Sequence, residues 1–136
     1  MGLRVVIDVK SPDAFSNDGV VWLEELFAAS DIEKLRLCFD WSIDNTGPNA
    51  TVYEYADGSK QHTDNTNPDA PEVYRDTLSD IPFGEILSEL WGSEHVWYWG
   101  EEVFWKEGAV GLTQWHQDTA YYPWGGKHWV NFWIPF

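Results

Sequence analysis

The clearest helical pattern in the chain runs from Asp31 to Asp44, where apolar or small residues recur every three or four positions. This stripe consists of Ile32, Leu35, Cys38 or Phe39, and Ser42 or Ile43. Ser30 followed three residues later by Glu33 has the form of a capping box, which marks a helix start. We therefore predict a helix over Asp31 to Asp44 with one buried face.

The segments on either side of this helix have different patterns. Val20 to Leu23 is rich in residues that favour strands, and it follows a turn at Asp18 and Gly19. From Asn45 to Asp80 the chain is polar and rich in Asn, Asp, Gly and Pro. This composition predicts a long surface excursion, with a short helical piece around Val73 to Leu78.

After residue 81 the pattern is first helical and becomes extended beyond Gly92. A short helix is predicted from Pro82 to Gly92, since glycine suits the left-handed position after a helix. The aromatic and β-branched segments that follow, 96–106, 109–118 and 127–136, are predicted to be strands. They are separated by turns at Glu107-Gly108 and at Pro123 to Gly126. Helices followed by antiparallel strands predict an α+β fold whose sheet belongs to a barrel or sandwich.

Composition narrows the class of protein. The chain has 136 residues, 43% of them apolar, and ten Trp, so we expect a folded domain. Its 23 acidic and 8 basic residues give a net charge of -15, which disfavours nucleic acid and anionic membranes as partners. The single Cys38 excludes an internal disulfide. We find no signal peptide and no apolar run of about 18 residues, and expect a cytoplasmic protein.

The candidate chemistry lies at His116 and Asp118. Residues two apart on an extended strand point the same way, about 6 to 7 Å apart along the chain, so the two side chains can bind one ion. Two histidines and one carboxylate on one face of a metal are typical of non-haem Fe(II) oxygenases. A histidine hydrogen-bonded to a nearby aspartate on a strand has the same spacing, so the tripeptide by itself leaves both interpretations open.

The surrounding stretch "WHQDTAYYPWGGKHWVNFWIP" resembles the metal-binding region of the phytanoyl-CoA dioxygenase family. Members of this family carry a His-Gln-Asp step, a tyrosine and proline shortly after it, and a tryptophan in the following strand. The matching residues here are His116, Gln117 and Asp118, then Tyr121 or Tyr122 with Pro123, then Trp133. The segments "FSNDGVVWLEELFAASDIEKLRLCFD" and "VFWKEG" also resemble the family, so the resemblance covers most of the chain and is weakest over Asn45 to Asp80.

The resemblance implies a double-stranded β-helix barrel (jelly-roll or cupin-like) with N-terminal helices packed on it. It also implies Fe(II), 2-oxoglutarate as cosubstrate, O2, and hydroxylation of a small organic substrate. His116 and Asp118 would be the catalytic metal ligands, and a carboxylate at Asp118 fills the position that related halogenases leave open for a halide. Cosubstrate-binding residues would be Gln117, Trp133, Lys106 and Glu102. Solvated strand-end charges remain an alternative for Lys106 and Glu102.

The family's third ligand, a later histidine, and its 2-oxoglutarate arginine have no counterpart in the sequence. Alternation places His128 opposite the face that carries Asn131 and Trp133, and we expect His62 and His95 to be solvated or capping. We therefore expect residues 1–136 to be a single, incomplete domain without its C-terminal strands, inactive alone. A following segment or a second chain would supply the missing groups.

Two other functions fit parts of the pattern. The first is a non-catalytic β-domain that binds carbohydrate or a small ligand by ring stacking. Its stacking residues would be Trp97, Trp99, Trp124 and Trp129. The second is a cupin-like protein that binds a divalent metal without 2-oxoglutarate. The substrate itself cannot be read from these residues.

Overall fold

A computed structural model describes residues 11–24, 26–122, 125–126 and 128–136. Its helices are α1 (Ser11–Asp18), α2 (Ala29–Asp44), α3 (Ala70–Asp80) and α4 (Phe83–Trp91). Its strands are β1 (Thr51–Glu54), β2 (Lys60–Asn65) and β3 (Glu102–Glu107), and a 3-10 turn covers Asp118–Ala120. The strands form an antiparallel sheet in the order β1-β2-β3, which confirms the α+β class.

Helix α2 confirms the predicted helix, although its start is formed differently. It begins at Ala29, and the Asp31 carboxylate accepts a hydrogen bond of 3.0 Å from the Ala28 N–H. The predicted Ser30 and Glu33 capping box is therefore wrong, because the first turn lies two residues earlier. Leu35, Cys38 and Ser42 form the buried face, as the periodicity predicted.

Polar side chains hold α2 against α3. The Tyr74 hydroxyl lies 2.9 Å from Ser42 Oγ and donates to the Cys38 carbonyl at 3.1 Å. Burial raises the pKa of Tyr74 to about 12, so the hydroxyl remains a donor at neutral pH. Ala70 packs beside Cys38 and Tyr74, with Trp41 and Leu78 at the margin of the same cluster. The helix predicted around Val73 to Leu78 is thus the middle of a longer helix.

The predicted surface excursion is wrong over much of its length, because residues 51–65 form the β1-β2 hairpin. Its turn has Gly58 at φ +83°, and Asp57 Oδ1 accepts hydrogen bonds from the N–H and hydroxyl of Ser59. β2 is the central strand and pairs with both neighbours. Its His62 and Asp64 are 4% and 2% exposed, so the prediction of a solvated His62 is also wrong.

Near the N-terminus, the predicted strand from Val20 to Leu23 is not formed. Helix α1 lies just before this segment, over residues 11–18, and Gly19 follows the helix at φ +72°. Helix α4 confirms the prediction, since it ends at Trp91 and Gly92 takes the left-handed position at φ 63°. Its Ile86 and Leu87 are buried, and the Phe83 ring contacts that of Phe27 at a centroid distance of 5.6 Å.

The C-terminal third holds less sheet than predicted. Strand β3 confirms the predicted strand only from Glu102 onward, and neither 109–117 nor 128–136 belongs to a strand of the described sheet. These segments have no ladder partner among the described residues, and a strand requires one. The turn predicted at Pro123 and Trp124 lies outside the described residues. No helix in the described part of the chain has the length and apolar character needed to cross a bilayer.

Candidate metal centre

The alternation of β3 determines which side of the sheet carries the candidate site. Val103 is 5% exposed and points to the helix side, so Glu102, Phe104 and Lys106 lie on the opposite face. The segment that follows β3 is attached to this face by Lys106. The Lys106 ammonium donates hydrogen bonds to the Gly111 carbonyl at 3.2 Å and to Thr113 Oγ1 at 2.9 Å.

His116 and Asp118 come together as the spacing predicted. Gln117 between them is extended, with φ -123° and ψ 130°, so both neighbours project to the same side. His116 Nε2 lies 3.3 Å from Asp118 Oδ1. The chain then turns through the 3-10 segment, where the Tyr121 N–H donates to the Asp118 carbonyl at 2.8 Å. The side chain of Gln117 is exposed.

The histidine ring is oriented by a backbone carbonyl. His116 Nδ1 lies 2.7 Å from the Gln114 oxygen, and a carbonyl can only accept, so Nδ1 carries the proton. In the neutral imidazole the lone pair is then on Nε2, facing the carboxylate oxygen. A cation between these two atoms, such as a metal ion, would offset the repulsion between their electron pairs.

The spacing of these two atoms fits a metal ion. If each bond to the metal is about 2.1 Å long, their 3.3 Å separation gives an angle of about 100° at the metal. An octahedral metal holds adjacent ligands about 90° apart, so the pair suits neighbouring positions. A metal-bound histidine usually donates its other ring N–H to a carbonyl or carboxylate, as His116 does to Gln114. The residues present therefore fit an Fe(II) site in which they would be two of the ligands.

A third residue, Asn131, contacts the pair and was not among the predicted site residues. Asn131 Nδ2 donates to Asp118 Oδ2 at 2.5 Å. The sequence signal that could have identified Asn131 is the alternation that places it on the same face as Trp133. Phe132, on the other face, packs against Phe83 at a centroid distance of 4.7 Å, and His128 packs against Trp91 at 5.4 Å. His128 therefore points away from Asp118, as the alternation predicted.

Glu102 lies near the pair, on the same face of the sheet that Trp133 contacts. Partial burial and the negative charge of Asp118 raise the pKa of Glu102, while Asn65 and His116 lower it. Burial and the charge of Glu102 likewise raise the pKa of Tyr122. The Trp133 ring is 6.1 Å from that of Phe104, whose neighbours on this face are Glu102 and Lys106.

The described residues supply no third ligand. Within them, no three His, Cys, Asp or Glu side chains are grouped so that they could hold a metal ion. His95 is exposed near the end of α4, and His62 is buried in β2 with no hydrogen-bond partner for Nε2 among the described residues. Of the proposed stacking residues, Trp97 is 90% exposed and Trp99 50%, Trp129 packs against Tyr122, and Trp124 lies outside the described residues.

The family of the chain is shown by its similarity to a family model. No curated protein and no solved structure is significantly similar to it. The family model of phytanoyl-CoA dioxygenase (PhyH) matches residues 15–136, a range that includes His116, Asp118 and every neighbour of this pair described above. Since the match extends over most of the sequence, the chain belongs to the phytanoyl-CoA dioxygenase family.

Proposed function

We propose that this chain provides two iron ligands, His116 and Asp118, of an Fe(II)- and 2-oxoglutarate-dependent oxygenase that hydroxylates a small organic substrate. The observation that carries the proposal is the orientation of the pair. The Nε2 lone pair of His116 and Oδ1 of Asp118 face each other at 3.3 Å, and the other nitrogen of the ring is bonded to a carbonyl. Family membership supports an oxygenase of this kind.

The iron with its cosubstrate would supply O2 activation coupled to decarboxylation of 2-oxoglutarate to succinate and CO2. The protein residues have positioning roles in this proposal. Asp118 occupies the carboxylate position and so favours hydroxylation over halogenation. Trp133 and Gln117 would contact the cosubstrate, as the family resemblance implies, with Glu102 beside Asp118.

Lys106 is a weaker cosubstrate ligand in this arrangement than the resemblance suggests. Its ammonium group is engaged by Gly111 and Thr113, so binding an anion would compete with holding the segment that leads to His116. We propose that the third iron ligand and a cation for the far carboxylate of 2-oxoglutarate come from groups other than the described side chains. A further segment of polypeptide or a second chain is the source that we propose.

The proposal is tested by anaerobic titration of the protein with Fe(II) and 2-oxoglutarate. A 2-oxoglutarate molecule that chelates Fe(II) gives a visible charge-transfer absorption. We expect this band with the wild-type chain and its loss in His116→Ala and Asp118→Ala, while His95→Ala, which removes an exposed histidine, retains it. If the wild-type chain binds Fe(II) at His116 and Asp118 but shows no charge-transfer band when 2-oxoglutarate is added, 2-oxoglutarate chemistry is contradicted and the cupin-like alternative is supported.

A further inference from the structure

Asp118 has two carboxylate oxygens, and the structure gives them different surroundings. Oδ1 faces His116 Nε2 at 3.3 Å, whereas Oδ2 accepts the 2.5 Å hydrogen bond from the Asn131 amide. An ionised carboxylate can bind a cation through one oxygen or through both. The Asn131 contact favours the first mode, because Oδ2 is already engaged by a donor.

We infer that Asn131 is a positioning residue that restricts Asp118 to a single metal-facing oxygen. This inference rests on the proposed function and goes beyond it, because Asn131 would touch neither metal nor cosubstrate. A carboxylate that bound through both oxygens would take an additional coordination position. Holding Oδ2 away keeps that position for a cosubstrate or O2, which an oxygenase needs.

The segment that carries Asn131 is attached to the fold on both of its faces. On one face, Phe132 packs against Phe83 of α4 and His128 packs against Trp91. On the other face, Trp133 packs beside Phe104 of β3. The Asn131 amide is therefore held between contacts to α4 and to the sheet, so its direction is determined by packing as well as by the hydrogen bond.

The hydrogen bond also links two parts of the sequence that the proposed site requires. Asn131 lies 13 residues after Asp118 and two before Trp133, which we propose to contact the cosubstrate. Because alternate residues share a face, the amide that holds the ligand and the Trp133 ring project together. Hydrogen bonds to ionised groups are the stronger class, which suits this role.

The test compares Asn131→Leu, which removes the donor at similar size, with Asn131→Gln, which keeps an amide. Mn(II) affinity is measured by electron paramagnetic resonance, and coordination by the visible spectrum of the Co(II) form. We expect Asn131→Leu to weaken Mn(II) binding about 10- to 100-fold and to change the Co(II) spectrum. Asn131→Gln should recover part of the affinity, and the exposed Asn17→Leu on α1 should match the wild type.

The outcomes separate this inference from the proposed function. If the wild type binds Mn(II) through His116 and Asp118 but Asn131→Leu has the same affinity and Co(II) spectrum, only the positioning role is overturned. If His116→Ala binds Mn(II) as tightly as the wild type, the proposed metal site is wrong, whatever the result for the Asn131 variants. A lower thermal stability of metal-free Asn131→Leu with unchanged metal affinity would show a structural role and overturn the inference.

Discussion

The His116 and Asp118 pair is oriented by two residues that are not metal ligands in the proposal. The Gln114 carbonyl fixes the tautomer, and Asn131 holds the carboxylate that faces the ring. The sequence predicted the pair itself, because a residue spacing of two determines that side chains share a side of an extended segment. It could not predict Asn131 as a partner of Asp118, since that contact depends on how the chain returns after residue 122.

Glu102 is the residue of the site whose ionisation affects stability most clearly. Its folded pKa is raised above the usual 4.5 by partial burial and by the charge of Asp118. Between the unfolded and the folded pKa, the folded state binds more protons than the unfolded state. This group therefore makes the free energy of unfolding fall as the pH rises through that window, and the loss persists at neutral pH.

We therefore predict that Glu102→Gln is more stable than the wild type at about pH 7, and that the difference disappears below about pH 4, where Glu102 is protonated in both states. Urea unfolding of the metal-free protein at both pH values measures this. Glu107→Gln, on the other face of β3, controls for the loss of one negative charge. If both variants changed the free energy of unfolding equally at both pH values, the raised pKa of Glu102 would not be the cause.

At the scale of elements, the hairpin shows where sequence patterns give too little information. The Asp57-Gly58 pair is a turn signal, yet the flanking strands lack the apolar alternation that identifies a strand. β1 is largely exposed, and the buried positions of β2 are His62 and Asp64 rather than apolar residues. The core in this region uses polar side chains, so a hydrophobic pattern could not reveal it.

Helices α2 and α4 were predicted better because apolar periodicity, and the glycine that follows α4, are local signals. α2 and α4 follow from their own residues, whereas the extended segments after residue 108 needed knowledge of a partner strand. The aromatic and β-branched residues of 127–136 predict a strand, which the described residues 128–136 do not form. Instead, Phe132 and His128 pack against α4 on one face, and Asn131 contacts Asp118 on the other.

Two glycines of α4 give opposite predictions for stability. Gly92 ends the helix at φ 63°, so Gly92→Ala should lower the free energy of unfolding by about 1 to 2 kcal/mol. Gly84 lies within the helix, and a Cβ there would contact nothing within 4 Å. Gly84→Ala should therefore raise the free energy of unfolding by about 0.4 to 1 kcal/mol. Chemical denaturation measures both free energies of unfolding. If the two substitutions changed them in the same direction, the assigned helix boundaries would be contradicted.

At the scale of the whole molecule, the sheet separates a packed side from a candidate functional side. Val103, His62 and Asp64 face the buried side, and Glu102, Phe104 and Lys106 face the segments that carry His116 and Asn131. The barrel that the family resemblance implies is not formed by the described residues. The structure shows a three-stranded antiparallel sheet with these segments folded over one face.

The net charge of -15 creates a competing explanation for any metal binding. A strongly acidic surface attracts divalent cations without a specific site. Helix α3 offers the most evident competitor, because Glu72, Asp76 and Asp80 recur on it at helical spacing. A bulk measurement of metal bound per protein would not distinguish this surface from the His116 and Asp118 pair.

The most direct test is therefore a residue-resolved Mn(II) titration by NMR, in which a bound paramagnetic ion broadens the amide resonances closest to it. At substoichiometric Mn(II), we expect broadening centred on residues 114–118 and 131–133, and its loss in the His116→Ala/Asp118→Ala double variant. Broadening centred on α3, or a pattern at 114–118 that the double variant retains, would contradict the claim that His116 and Asp118 form a metal site.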